Sequence, residues 1–138
     1  MAKGRSVSVR VDQETLKQVR EMARCTDRSI GQVLSSLVDE GMRMRRCPGI
    51  IFTDGPTGRR ATVAGSGIDV WEVIQVSRAC KSRRQLARVL PQLSKPQLDA
   101  ALTCSVCFPD EIDRHIKENE VCLTLLQRRS GFIARVAV

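Results

Sequence analysis

Three polar side chains alternate with valines near the start of the chain. Ser6, Ser8 and Arg10 occupy every second position of the stretch RSVSVRV. Residues two apart on a strand face the same side, so this spacing would present two hydroxyl groups and one guanidinium group together. Hydroxyl groups form hydrogen bonds with base edges. The guanidinium group of arginine binds guanine through a pair of hydrogen bonds. The pattern therefore predicts sequence-reading contacts with DNA, with Lys3 and Arg5 adding an attraction to phosphates that is independent of sequence.

A second group of chemically active residue types lies near the other end of the chain. Cys104, Cys107, His115 and Cys122 have the residue types of a zinc site. Cys104 and Cys107, however, fall three residues apart in a predicted helix, where cysteines usually belong to the core. We expect His115 on the surface of an acidic helix, and no metal site. Because no catalytic triad, HExxH motif or complete nucleotide-binding loop is present, the sequence predicts neither an enzyme nor a bound cofactor.

Two arginine pairs offer further cationic chemistry. Arg59 and Arg60 fall on a predicted hairpin, and Arg83 and Arg84 fall on a short predicted helix that also carries Arg88. Both pairs could make a second contact with DNA phosphates. A basic face that is merely solvated is the other interpretation of these residues.

Composition narrows the class of partner. The chain of 138 residues has a formal net charge of +8, and the whole excess lies within residues 1–90. This distribution favours a polyanion, whereas an aromatic content of 3% argues against single-strand binding by base stacking. Scattered cysteines indicate reduced thiols, and no apolar run is long enough to span a bilayer. We therefore expect a cytoplasmic protein.

The element that must hold the three polar side chains is a short strand. Its other face consists of Val7, Val9 and Val11, and a lone strand can neither bury them nor pair its own backbone. A second copy of the chain would do both by forming a two-stranded antiparallel ribbon, which fits the major groove. An edge strand of an ordinary small sheet is the other interpretation of the alternation.

Two helices are predicted directly after this strand. Asp12 is a good N-cap for a helix over about residues 13–25, Thr26-Asp27-Arg28 forms a turn, and Ser29 caps a second helix that extends to about residue 44. The apolar face of the second helix consists of Ile30, Val33, Leu34, Leu37, Val38 and Met42.

This order of strand, helix, turn and helix resembles the ribbon-helix-helix family of transcriptional regulators. The resemblance rests on the motifs SVSVRVDQETLKQV and DRSIGQVL. It implies a DNA-binding homodimer in which Ser6, Ser8 and Arg10 read bases. It also implies that Ser29 and the amides after it clamp a phosphate at the start of the second helix.

The rest of the chain predicts a second domain. Cys47-Pro48-Gly49 ends the second helix and places a boundary after residue 46, and residues 50–63 predict a hairpin around a Gly/Pro turn. Asp69, Ser82, Ser94 and Pro109 mark the starts of four further helices. The predicted fold class is therefore mainly α: a ribbon-helix-helix dimer over residues 1–46, followed by a β-hairpin and helix-turn-helix-like helices over residues 47–120.

Residues 47–120 resemble a small domain of unassigned function whose genes often lie beside those of PIN-type toxin nucleases. The motifs are PGIIFTDGPTGRRATVAGSGIDVWEVI, SRRQLARVLPQLSKPQLDAAL and FPDEIDRHIKENE. The two resemblances together are those of a VapB-type antitoxin, which implies an autorepressor that binds operator DNA and neutralises a PIN-type ribonuclease toxin. In the tail over residues 121–138, the residues that could bind a toxin are Arg128, Arg129, Phe132 and Arg135.

Three interpretations remain open at this stage. The tail could complete the protein's own dimer instead of contacting a toxin. The chain could be a ribbon-helix-helix regulator without a toxin partner, its second domain serving oligomerisation or an extra DNA contact. A zinc-stabilised interaction module without a DNA function is the third.

Overall fold

The computed structural model describes residues 4–55 and 58–129. These residues are mainly helical, with one two-stranded antiparallel sheet, which confirms the predicted mainly α class with a hairpin. In chain order, the elements are α1 (Gln13–Thr26), α2 (Ile30–Arg46), β1 (Ile50–Gly55), β2 (Gly58–Val63), α3 (Val70–Ala79), α4 (Arg83–Val89), α5 (Lys95–Cys107) and α6 (Pro109–Arg129). Contacts divide the chain into an N-terminal unit, residues 1–43, and a C-terminal unit, residues 44–138.

The helices of the N-terminal unit begin and end on local signals. Asp12 accepts a hydrogen bond from the Thr15 amide at 2.8 Å, as expected of an N-cap. Asp27 follows α1 in the left-handed conformation, with φ 51°, and so closes the helix and forms the predicted turn. Ser29 then caps α2 by accepting from the Gln32 amide at 3.1 Å. Both predicted helices are therefore confirmed, with α2 ending at Arg46, directly before Cys47-Pro48-Gly49.

The core of the N-terminal unit is small. Val19 and Ala23 from α1 meet Val33 from α2, with Leu34 partly buried against them. The other apolar side chains predicted for the inner face of α2 are exposed, among them Val38 and Met42.

The predicted strand over residues 6–11 forms no sheet with any other part of the chain that the structure describes. Residues 4–12 have neither helical nor strand structure, and the one sheet among the described residues consists of β1 and β2. Val7 is 83% exposed and Val9 is 76% exposed. The interpretation as an edge strand of a sheet in the same chain is therefore wrong for the described residues.

The hairpin opens the C-terminal unit. β1 and β2 pair antiparallel from Ile50 opposite Val63 to Gly55 opposite Gly58, as the sequence predicts. Gly49 enters the hairpin with φ 91°, and a Cβ at this position would lie 3.1 Å from that of Ala100. The positive φ and the close approach to α5 both favour glycine there.

The core of the C-terminal unit forms where α3 packs against α4, α5, α6 and β2. It is extensive and almost entirely aliphatic. Its fully buried side chains of largest volume are Leu86, Leu98, Val63, Val70, Val73 and Cys47.

The starts of α4 and α5 match the prediction. Ser82 caps α4, and Ser94 caps α5 with Pro96 in its first turn. The side chain of Gln97 closes the α5 cap by accepting from the Ser94 amide at 2.7 Å, and it also donates to the Ala64 carbonyl at 3.1 Å. This single side chain therefore joins the start of α5 to the segment after the hairpin.

α6 is longer than the sequence indicates. Residues 121–129, expected as the start of a separate tail, continue α6 to Arg129. No glycine or proline interrupts the chain between Pro109 and Gly131, so nothing local ends the helix at residue 120. The alternating stretch FIARVAV lies outside the described residues.

Candidate nucleic-acid interface

The predicted base-reading side chains are accessible. Ser6, Ser8 and Arg10 are all exposed, as is Arg5, and no described residue makes a hydrogen bond or ion pair with any of them. Lys3 lies outside the described residues. The segment therefore presents both its polar and its apolar side chains to solvent within a single chain.

The start of α2 has the features of an anion-binding site. Ser29 and Gln32 form a reciprocal cap, in which the Ser29 amide donates to Gln32 Oε1 at 3.0 Å and the Gln32 amide donates to Ser29 Oγ at 3.1 Å. The amides of Ile30 and Gly31 have no partner among the described residues. These two donors, at the positive end of a helix of 17 residues, point to a place where a phosphate could bind.

An acid next to the polar segment is held in a fixed place. Hydrogen bonds from Thr15, first from its amide and then from its hydroxyl, lower the pKa of Asp12 below its ordinary value. Asp12 therefore keeps its charge at the start of α1, two residues after Arg10, where it interacts favourably with the positive end of the helix dipole.

The structure counts against the predicted DNA contact at Arg60. Its Nη1 lies 3.1 Å from Asp69 Oδ2, and its side chain is largely buried. Asp69 was expected to cap α3, but its carboxylate instead accepts from the Thr62 hydroxyl at 3.0 Å and from the Trp71 ring nitrogen at 3.1 Å. This network joins the hairpin to α3, so Arg60 neutralises an internal acid.

Glu72 and His115 also lie in the electrostatic field of this network. Burial and the nearby Asp69 charge raise the pKa of Glu72. His115 is 8% exposed, so the expectation that it lies on the surface is wrong. Burial lowers its pKa, with Glu118 opposing that shift. Ile112 and Ile116 on α6 are buried as well, so His115 lies on the face of this helix that packs against the core.

The other predicted cations differ in how they are engaged. Arg59 lies 3.2 Å from Asp54 across the hairpin, and Arg83 forms an ion pair with Asp99 on α5. Arg84 is exposed and has no partner among the described residues.

Cys104 and Cys107 share α5, as predicted, but their neighbour is Cys47. The thiol of Cys47 interacts with both, and burial followed by hydrogen bonding with Cys107 raises its pKa. A raised pKa keeps a buried thiol protonated and unreactive, and the described part of the chain has no cluster of three metal-binding residue types suited to an ion. Sequence reasoning missed Cys47 because it lies more than fifty residues away along the chain.

The residues predicted to face a toxin lie at or beyond the limit of the described chain. Arg128 and Arg129 are the last residues of α6, whereas Phe132 and Arg135 lie outside the described residues.

The described residues contain no helix with the length and apolar character needed to cross a bilayer. No family model, curated protein or solved structure matches the chain.

Proposed function

We propose that the protein is a non-catalytic transcriptional regulator whose homodimer inserts a two-stranded ribbon into the major groove of DNA. The observation that carries the proposal is the exposure of Val7 and Val9 in a segment whose backbone has no partner strand among the described residues. Alternating valines with an unpaired backbone favour pairing with a second copy of the same segment. An antiparallel pair of identical strands would bury the valines and also pair the backbone amides and carbonyls.

The size of the N-terminal core supports the need for a partner. Val19, Ala23 and Val33 bury too little apolar surface to hold two helices firmly, because each fully buried valine contributes only about 1.5–3 kcal/mol. A symmetric partner would cover Val7 and Val9 in both copies of the chain. This burial would add several times the contribution of a single valine. The dimer thus completes a core that one chain leaves unfinished.

The ribbon would leave the opposite face for DNA. With both copies present, Ser6, Ser8 and Arg10 would face base edges, and the open amides at the start of α2 would bind the flanking phosphates. The positive charge of the front part of the chain supports this polarity, since phosphates dominate the affinity of such complexes.

The decisive test compares Arg10→Ala with Arg20→Ala. Arg20 is an exposed arginine on α1, so its replacement removes the same charge without touching the segment before α1. Each protein selects duplexes from a random library, and affinities for the selected duplex and for a scrambled one are then measured. The parent and Arg20→Ala should enrich one palindromic motif, whereas Arg10→Ala should lose about 1–3 kcal/mol of discrimination at one base pair per half-site. Equal enrichment by all three proteins would contradict the base-reading role.

The sequence resemblance extends this proposal to the role of an antitoxin. In that role the dimer represses its own operon and uses the tail after residue 120, with Arg128, Arg129, Phe132 and Arg135, to cover a PIN-type ribonuclease. Co-expression with the product of the adjacent gene tests it: a stable complex that lacks ribonuclease activity is the expected result. Failure of the two products to co-purify would leave a regulator without a toxin.

A further inference from the structure

We infer that the outer face of α4 is a second contact with the sugar-phosphate backbone of double-stranded DNA, formed by Arg84 and Arg88 with Lys81 beside them. The inference rests on the proposed function in one respect, since it takes DNA as the polyanion that the protein meets. It places a separate, sequence-independent contact in the C-terminal unit, and it replaces Arg60 and Arg83, which are paired internally.

The first observation is the balance of charge along this part of the chain. Residues 75–98 contain no aspartate or glutamate. The basic residues of this stretch are Arg78, Lys81, Arg83, Arg84, Arg88 and Lys95.

Other parts of the C-terminal unit neutralise two of these cations. Arg78 pairs with Asp113 on α6, and Arg83 pairs with Asp99 on α5. Lys81, Arg84, Arg88 and Lys95 remain exposed, and no described residue forms an ion pair with them. Three of these four cations lie on α4 or just before its cap, and Lys95 is the first residue of α5.

The second observation is the direction of these side chains. Leu86 is the buried residue of α4 and fixes which face of the helix meets the core. At 100° per residue, Arg84 and Arg88 lie on either side of the point opposite Leu86, so both point directly away from the core. They are four residues apart and thus neighbours on the helix surface.

The third observation is that this arrangement opposes local helix energetics. Arg84 occupies the first turn of α4, where the helix dipole disfavours cations, and that turn contains no acidic residue. Arg84 and Arg88 also repel each other, as like charges four residues apart do. Departures from local preference of this kind concentrate at functional sites, and a bound anion would relieve both repulsions.

The chemistry of the face fits duplex DNA. Duplex DNA carries one negative charge for about every 1.7 Å along its axis, so neighbouring cations can each meet a phosphate of one backbone. Protein interfaces, in contrast, need a central apolar or aromatic anchor, and Arg84, Arg88, Gln85 and Ala87 supply none. Charge complementarity with phosphates is what this face offers.

The test uses the full chain and a charge-matched control. Arg84→Gln/Arg88→Gln removes two charges from α4, and Arg114→Gln/Lys117→Gln removes two from the exposed surface of α6. Affinity for a random-sequence duplex of 30 base pairs is measured between 50 and 200 mM salt. Affinity falls as salt rises, so the plot of log affinity against log salt has a negative slope. The α4 variant should make this slope shallower by about 1.8 per chain, whereas the α6 variant should leave it unchanged. A melting temperature at or above that of the parent would show that the α4 variant is folded.

The possible outcomes separate this inference from the proposed function. An unchanged slope in the α4 variant, or equal changes in both variants, overturns the inference. If the α4 variant keeps its DNA affinity but loses binding to polyglutamate, the face serves an acidic protein and the inference is wrong. If Arg10→Ala leaves sequence preference intact while the α4 slope falls, the ribbon proposal fails and the α4 contact stands.

Discussion

The two units of the chain differ in how they bury their apolar side chains. The C-terminal unit encloses an extensive cluster within one chain, with Val63, Val70 and Val73 fully shielded from solvent. Among the described residues of the N-terminal unit, the buried core consists of Val19, Ala23 and Val33. Its exposed large apolar residues are Val7, Val9, Val11, Met22, Ile30, Leu37, Val38 and Met42.

Local helix signals do not explain this difference. Asp12 and Ser29 cap the helices of the N-terminal unit as completely as Ser82 and Ser94 cap those of the C-terminal unit. Well-formed helices with bare apolar faces are typical of one half of an interface, because an isolated monomer rarely exposes a large contiguous apolar surface. One unit therefore closes on itself, and the other exposes the apolar faces that the proposed dimer would cover.

The largest effect is expected from Val9→Ser. In a single chain this side chain is 76% exposed, so a monomer would tolerate the change. In the proposed dimer, the loss of two buried valines should cost about 3–6 kcal/mol, which raises the dimer dissociation constant more than about 100-fold. Sedimentation equilibrium measures this constant, with Val106→Ser, at a site 80% exposed in the C-terminal unit, as the control. A dissociation constant that Val9→Ser leaves unchanged would exclude the ribbon as the interface.

Leu98→Ala should cost a similar free energy in the C-terminal unit, but through a loss of folding stability and not of dimerisation. Leu98 is 2% exposed in the core, and truncation of such a leucine costs about 2–5 kcal/mol. Urea unfolding followed by the fluorescence of Trp71, the one tryptophan of the chain, reports on this unit. Because the core closes within one chain, the loss should not depend on protein concentration, and Val106→Ala should stay within about 0.5 kcal/mol of the parent. A concentration-dependent loss would mean that this core also needs a partner.

Arg60→Met and Arg59→Met distinguish an internal ion pair from a surface one. Arg60→Met leaves the buried Asp69 carboxylate without its cation and should cost about 2 kcal/mol of unfolding free energy. Arg59→Met breaks a solvent-exposed pair and should cost less than about 1 kcal/mol. Urea unfolding followed by circular dichroism measures both. Loss of DNA affinity in folded Arg60→Met, without loss of stability, would restore Arg60 as a DNA contact.

Gly31→Ala should give the smallest change in stability, and one of opposite sign. A methyl group there meets only Ser29 Oγ at 3.9 Å, and alanine favours the helix by up to about 1 kcal/mol. Because Cβ groups lean towards the start of a helix, the methyl would crowd a phosphate at the open amides. We expect thermal stability to rise while DNA affinity, measured by fluorescence anisotropy, falls. A rise in thermal stability with unchanged DNA affinity would contradict phosphate binding at the start of α2.

Features fixed by neighbouring residues were predictable from the sequence. The caps at Asp12, Ser29, Ser82 and Ser94 follow from side chains that bond amides two or three residues away, and the hairpin follows from its Gly/Pro turn. The alternation of Ser6, Ser8 and Arg10 also needs no tertiary information, but the strand that it predicts stays a prediction, because residues 4–12 form no strand in the single chain.

Features that depend on distant contacts were not predictable. Asp69 has the residue type and position of a cap, but Arg60, Thr62 and Trp71 draw its carboxylate towards the hairpin. His115 is surrounded by acids in sequence and is nevertheless buried, because the helix turns it inwards with its isoleucine neighbours. The contact of Cys47 with α5 joins residues far apart in the chain, and no spacing rule identifies it.

Gln97 imposes a narrow requirement on how sequences of this fold can diverge. A carboxylate could accept from the Ser94 amide just as well, which is why glutamate is common at this position of a helix cap. Only an amide can also donate to the Ala64 carbonyl, so glutamate would set a negative charge against that oxygen. Among orthologues with this fold we therefore expect glutamine to persist at this position, and glutamate to occur only where the segment after the hairpin takes another path.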